Sequence, residues 1–237
     1  MEHRELTLQP RLQLLANLIP VNSVVADVGT DHGYLPVWLL QQGRIRHAIA
    51  SDINESPLDH ARHTAADCGV GDRMEFRLCA GLDGYKPAEA NVIVIAGMGG
   101  ETIASILDAA PWTRSRELYL LLQPMTKTEF LRKWLSDKGY SLTGEHLVFD
   151  KDYLYPVFCV TGGTPRLLTE EAAYAGLMLD DDPLYDIYLT QQMKRIRIRI
   201  DGLTRSGNPS AGEEIRRLDG LYAALSMRKE KCNDHGT

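Results

Sequence analysis

The chain has 237 residues, of which 44% are hydrophobic and 24% charged, and a formal net charge of −6. That is long enough for one good core and a smaller appendage, with the composition of an ordinary soluble globular protein. No apolar run reaches the ~20 residues of a membrane helix. The opening MEHRELTLQP lacks an apolar signal core, and the four scattered cysteines (Cys68, Cys79, Cys159, Cys232) form no C-x-x-C pair. A cytoplasmic chain with reduced thiols is expected, without a disulfide framework or a structural metal.

Five apolar, β-branched runs alternate with helical patterns, the signature of a parallel sheet covered on both faces. The first, residues 23–29 (SVVADVG), enters the loop Thr30, Asp31, His32, Gly33, Tyr34 and then a helical stretch over 35–42. In such sheets a nucleotide-like ligand binds beyond the carboxyl ends of the strands, beside the first one. A dinucleotide site would show G-x-G-x-x-G to admit a pyrophosphate. Here the loop carries Asp27 and Asp31 instead. A carboxylate 4 Å from a phosphate costs about 4 kcal/mol at an effective dielectric of 20. A cationic cofactor such as S-adenosylmethionine suits two aspartates better, so Asp27, Gly29, Asp31 and His32 are expected around it. The bland alternative is a tight turn with solvated aspartates.

The second run, 47–53, ends at Asp52 and Ile53. A carboxylate some 20 residues past the glycine loop is placed to accept from ribose hydroxyls, or else to cap the helix expected over 57–68. The third run, 74–82, closes on Cys79, Ala80, Gly81 and Leu82, where Gly81 and Leu82 are expected at the cofactor. The fourth, 91–97, opens into Ala96, Gly97, Met98, Gly99 and Gly100 before a helix at 101–109. Three glycines in four positions make a wall of bare backbone that cofactor and substrate can approach. The fifth, 117–124, ends in Gln123 and Pro124. Gln123 can donate and accept, enough to read a base edge, or it caps the next helix, 127–139. His47, His60, His63 and His146 lack ligand-spaced partners and read as satisfied or solvated.

Runs 141–149 and 153–161 are separated by three residues, too few for a crossover, so they pair antiparallel. The expected domain, residues 1–163, is thus a doubly wound, mostly parallel seven-stranded α/β sheet. Residues 164–237 form an appendage. In it Leu189, Met193, Ile196, Ile200 and Leu203, and then Ile215, Leu218, Tyr222 and Leu225, repeat at helical spacing around a turn at 206–212. That predicts an antiparallel helical hairpin over about 183–231, although RIRIRI (195–200) also alternates like a strand. The acidic run Asp180, Asp181, Asp182 reads as the lead-in to the first of these helices rather than as a metal site. Residues 1–182 hold 16 Lys/Arg against 25 Asp/Glu, whereas 183–231 hold 10 against 6. A basic end on an acidic body is compatible with a polyanionic partner.

With D-V-G-T-D-H-G-Y-L-P (27–36), I-A-G-M-G-G (95–100) and L-L-Q-P (121–124) in this order, after P-R-L (10–12) and I-P (19–20), the sequence resembles the bacterial tRNA (adenine(22)-N1)-methyltransferase family over nearly its whole length. The resemblance implies a Rossmann-like class I methyltransferase fold, S-adenosyl-L-methionine as cofactor, tRNA as partner and a coiled-coil appendage. It implies methylation of adenine N1 with Asp31 as the catalytic residue. Tyr34, Gly100, Gln123 and Pro124 are then expected at the substrate, with Arg11, Lys194, Arg195, Arg197 and Arg199 on the RNA. The family's Gly-Asp-Gly-Leu after the third strand is Cys79-Ala80-Gly81-Leu82 here, which leaves the adenine contact open. A nicotinamide oxidoreductase and a non-catalytic RNA-binding relative are the rival readings. A monomer without an obligate protein partner is expected.

Overall fold

The computed structural model describes residues 4–206 and 210–234, in two compact units, Met1–Arg166 and Leu167–Thr237. The first unit runs α1 (Pro10–Leu18), β1 (Ser23–Val28), α2 (Tyr34–Gln41), β2 (Ile45–Asp52), α3 (Glu55–Asp67), β3 (Met74–Leu78), β4 (Val92–Gly99), α4 (Gly100–Ala109), β5 (Tyr119–Thr126), α5 (Thr128–Asp137), β6 (Tyr140–Asp150) and β7 (Tyr153–Gly162). The seven strands lie in the order β3-β2-β1-β4-β5-β7-β6. The first five are parallel, and β7 runs antiparallel to both of its neighbours.

The expected seven-stranded sheet is therefore the observed one. Its central strands are buried on both faces: Val25, Ala48, Ala50, Val92 and Val94 belong to one apolar cluster, and Ala26, Ile93, Ile95, Leu120 and Leu122 to the other. Two-sided burial is what makes such strands read as unbroken apolar runs.

Most boundaries fall within a few residues of expectation, and three departures matter. The third strand stops at Leu78, because Gly81 turns at φ +54° and Leu82 folds down into the core at 4% exposure. The helix after β2 begins at Glu55 rather than Pro57. A helix over Pro10–Leu18 is additional, with Pro10 in its first turn, where the missing N–H costs nothing.

The second unit holds α6 (Glu170–Ala175), α7 (Tyr185–Ser206) and α8 (Ala211–Asp234). The RIRIRI segment is helical. Ile196 and Ile200, four apart, are buried at 2% and 6%, while Ile198 between them is 58% exposed. The helices α7 and α8 run antiparallel: Arg199 pairs with Glu214 at 2.6 Å, and Lys229 donates to Thr190 at 2.6 Å. Of the expected turn at 206–212, Gly207, Asn208 and Pro209 lie outside the described residues. No described helix is long and apolar enough to cross a membrane.

Candidate active site

The carboxyl ends of β1 and β4, the loop after β1 and the start of α1 enclose a cavity of about 450 Å³. Its wall includes Arg11, Asp27, Gly29, Asp31, Tyr34 and Gly97. The loop after β1 owes its shape to the neighbouring strand, since the Gly29 and Thr30 N–H groups both donate to the Ser51 carbonyl, at 2.8 and 2.9 Å. Gly29 and Gly97 adopt φ +77° and +78°, which strains any other residue. A side chain at Gly97 would project towards Arg11 Nη1, 3.8 Å from its Cβ, into space now left clear. The Met98 thioether lies over Gly29.

Asp27 is 9% exposed, and burial pushes its carboxyl up to about 6; the nearby Thr30 hydroxyl and the Arg11 charge oppose this. That hydroxyl is buried without a bond of full geometry, so the pair is incompletely satisfied. Opposite stands Arg11, whose Nη1 donates to Gln123 Oε1 at 2.9 Å and whose Nε lies 3.5 Å from Asp150 Oδ2. Gln123 Oε1 also accepts the Gly97 N–H at 3.0 Å, and its Nε2 donates to the Pro124 carbonyl. One fully buried amide thus ties α1, β5 and the glycine-rich loop together. Asp150, at the distant hairpin turn, holds the other side of the guanidinium.

Asp31 stands at the rim with 81% of its side chain exposed, 3.6 Å from His32 Nε2. The His32 ring stacks on Tyr34 (centroids 5.1 Å, planes 11° apart) and on His60 (4.8 Å, 17°). Asp52 turns one oxygen back to accept the Asn54 N–H at 2.8 Å, closing its own turn, and the cap position of α3 falls to Asn54. Ile53 is 67% exposed beside it.

Several expected contacts are placed otherwise. Gln123 and Pro124 are buried, and the Gln123 amide is spent on protein groups, so it braces the wall rather than facing a base. Gly100 starts α4 in a packed corner, where a Cβ would stand 2.5 Å from the Lys127 carbonyl, so close packing explains this glycine. The Leu82 side chain belongs to the core. Arg11, expected on the RNA, lines this cavity.

Lys194, Arg195, Arg197 and Arg199 are exposed on α7, with Arg197 over the Tyr222 ring at 4.5 Å and Arg199 paired to Glu214. Asp180 pairs with Arg228 at 3.0 Å, and Asp182 accepts the Leu184 N–H. His60, read from the sequence as satisfied or solvated, is brought to His32 only by folding, and nothing in the sequence marks the Tyr85 hydroxyl, which donates to Ser51 Oγ at 2.9 Å beneath the first loop. All four cysteines are free thiols. Among the described residues no three His, Cys, Asp or Glu side chains are grouped to hold a metal.

A doubly wound sheet whose last strand in the chain inserts antiparallel between the fifth and sixth, and a carboxylate-bearing glycine loop in place of a pyrophosphate cradle, define a Rossmann-like methyltransferase domain. Residues 8–158 match the family model described as a methyltransferase domain. A Bacillus subtilis tRNA (adenine(22)-N(1))-methyltransferase is 32% identical over 195 residues, covering 82% of this chain and 80% of the relative. The crystal structure of the B. subtilis M1A22 tRNA methyltransferase TrmK superposes with a TM-score of 0.85 at 27% identity, over 95% of this chain and all of that one. Streptococcus pneumoniae Sp1610, solved in complex with S-adenosyl-L-methionine, gives 0.79 at 27% identity over 92% and 98%. The chain belongs to the tRNA (adenine(22)-N1)-methyltransferase family.

Proposed function

We propose that this chain transfers a methyl group from S-adenosyl-L-methionine to N1 of adenine 22 in tRNA. The observation that carries the reading is the pairing of Asp27 with Arg11 across one cavity, an anion and a cation set for a zwitterion. S-adenosyl-L-methionine supplies an electrophilic methyl on a positively charged sulfur, and its amino-acid end carries one ammonium and one carboxylate. A diphosphate would meet Asp27 and Asp31 and be repelled. Asp27 would hold the cation, Arg11 the carboxylate, and Gly29, Ala96 and Gly97 the close-packed wall. Asp52 and Ile53 would hold the ribose and flank the base, with Asp52 offering whatever oxygen its own turn leaves.

Neutral adenine N1 carries a lone pair, so no proton need leave before methylation; catalysis is alignment and charge compensation. Asp31, open at the rim, would accept from the adenine N6 amine, turn N1 inward and offset the positive charge of the product. His32 Nε2 stands 3.6 Å from that carboxylate. N1 lies on the pairing edge, so the target base leaves its pair before reaching the rim. The exposed arginines and lysine of α7 serve the phosphate backbone. The chain works in the cytoplasm as a monomer, its hairpin seam closed within itself.

Labelled S-adenosyl-L-methionine and unmodified tRNA test the reading, with nucleoside mass spectrometry to place the methyl. The expected product is 1-methyladenosine at position 22, and its absence ends the proposal. Asp31→Ala should lose turnover and keep cofactor affinity; an active variant would refute the role given to Asp31.

A further inference from the structure

A second cavity, of about 390 Å³, adjoins the first. The two share Gln9, Leu12 and Tyr34. Its remaining wall is the N-terminal strap, with Arg4, Glu5 and Thr7 exposed on it, so that only the Arg4 side of the cavity suits an anion. The strap is held by defined bonds. Gln41 donates to the Arg4 carbonyl at 2.7 Å and accepts the Leu6 N–H at 3.4 Å, while the Arg4 N–H donates to the Asp67 carbonyl at 3.2 Å. Leu6 and Leu8 anchor it in the core at 7% and 9% exposure. The cavity is therefore bounded by chain fixed in place by these bonds.

Tyr34, its shared wall, is the end ring of the Tyr34–His32–His60 ladder. Burial does not explain that ladder, because Tyr34 is 39% exposed and His60 is exposed too. Exposed, nearly parallel ring faces beside a cation are how proteins hold unpaired bases and their phosphates. Extracting a base for methylation also strips its neighbours of a stacking partner, leaving one of them in need of a surface.

The geometry points to this second cavity as a subsite for a nucleotide flanking the target adenine, its base against Tyr34 and its phosphate towards Arg4. The assignment rests on the tRNA reading above. A gap left by packing beneath the strap has no need of Arg4 or of an exposed ring.

A double-mutant cycle on the full chain tests it. Thr7→Trp fills the cavity from an exposed position, and the tRNA is made abasic on either side of adenine 22. Thr7→Trp should raise the KM for tRNA roughly tenfold, the scale of one lost stacking contact, and leave the Kd for S-adenosyl-L-methionine, read by calorimetry, within twofold. One of the two abasic tRNAs should show the same loss, and combining it with Thr7→Trp should add nothing. Arg4→Glu should weaken tRNA binding and reduce its salt dependence, and Tyr34→Phe should retain what Tyr34→Ala loses. Additive penalties, or wild-type KM in both Thr7→Trp and Arg4→Glu, overturn the subsite. Wild-type protein that leaves adenine 22 unmethylated overturns the tRNA reading itself, and the subsite with it.

Discussion

Among the described residues of the first unit two carboxylates, Asp27 and Glu145, are buried, and they are treated in opposite ways. Glu145 on β6, 3% exposed, meets Arg132 Nε of α5 at 2.5 Å, and that guanidinium in turn lies over the Phe158 ring at 4.8 Å. Asp27 at the end of β1 is nearly as buried, yet its nearest help is a hydroxyl short of good geometry and the field of Arg11. A closed ion pair far from the strand ends is architecture: desolvation is offset inside the protein. A buried carboxylate left open at the mouth of a sheet stores that desolvation as an affinity for a cation. The contrast separates structural from binding charge without reference to any relative.

The largest effect expected from breaking the comparison is on the closed pair. Glu145→Ala leaves Arg132 charged and buried, and should lower unfolding free energy by about 3–5 kcal/mol in a denaturant titration. A loss under ~1 kcal/mol would mean that water reaches the pair and that the two carboxylates are not different in kind. Asp27→Asn should do the reverse. Holding its carboxyl at about 6 instead of 3.8 costs the charged form about 3 kcal/mol. At pH 7 the amide should therefore stabilise the ligand-free protein by up to about that amount while weakening cofactor binding at least tenfold. Gain of stability with unchanged affinity would remove Asp27 from the site.

The same contrast marks what the sequence made legible. The sheet could be read because its central strands are buried on both faces, and the terminal hairpin because three residues cannot hold a crossover. The third strand was read too long because Cys79 and Leu82 are apolar for the sake of the core, not of a strand. At the site, Asp27, Gly29, Asp31 and Gly97 announce themselves by residue type beside a strand end. The roles of Arg11 and Gln123 do not. Arg11 meets Gln123 across 112 positions of chain, and nothing local marks the amide as a brace instead of a reader. His60 likewise looks like any surface residue of α3 until folding stacks it on His32.

Acidification sharpens the comparison by a smaller step. Asp27 has a raised folded-state value, so its contribution favours the ligand-free fold below about pH 4 and is lost as pH climbs to about 6. Cofactor affinity should run the other way. It should be flat above pH 7 and fall about tenfold for each unit below 6, as the proton competes with the bound cation. Calorimetric titrations from pH 5 to 8 on wild type and Asp27→Asn measure it. A slope that survives in the variant would assign the titration to another group.

The smallest effect belongs to charges that are neither buried nor reserved. In the second unit Arg217 bridges Glu170 and Glu214, each group 30–40% exposed. Water already solvates all three, so the bridge gains little and costs the ordering of long side chains. Arg217→Ala should lower stability by less than ~1 kcal/mol, and by less still at 0.5 M salt, where screening is nearly complete beyond ~4 Å. Should Arg217→Ala cost as much as Glu145→Ala in the same titration, exposure would not be the variable that sorts these charges. The difference between Glu145 and Asp27 would then need another physical basis, because in both places the worth of a charge follows from how much water it has lost.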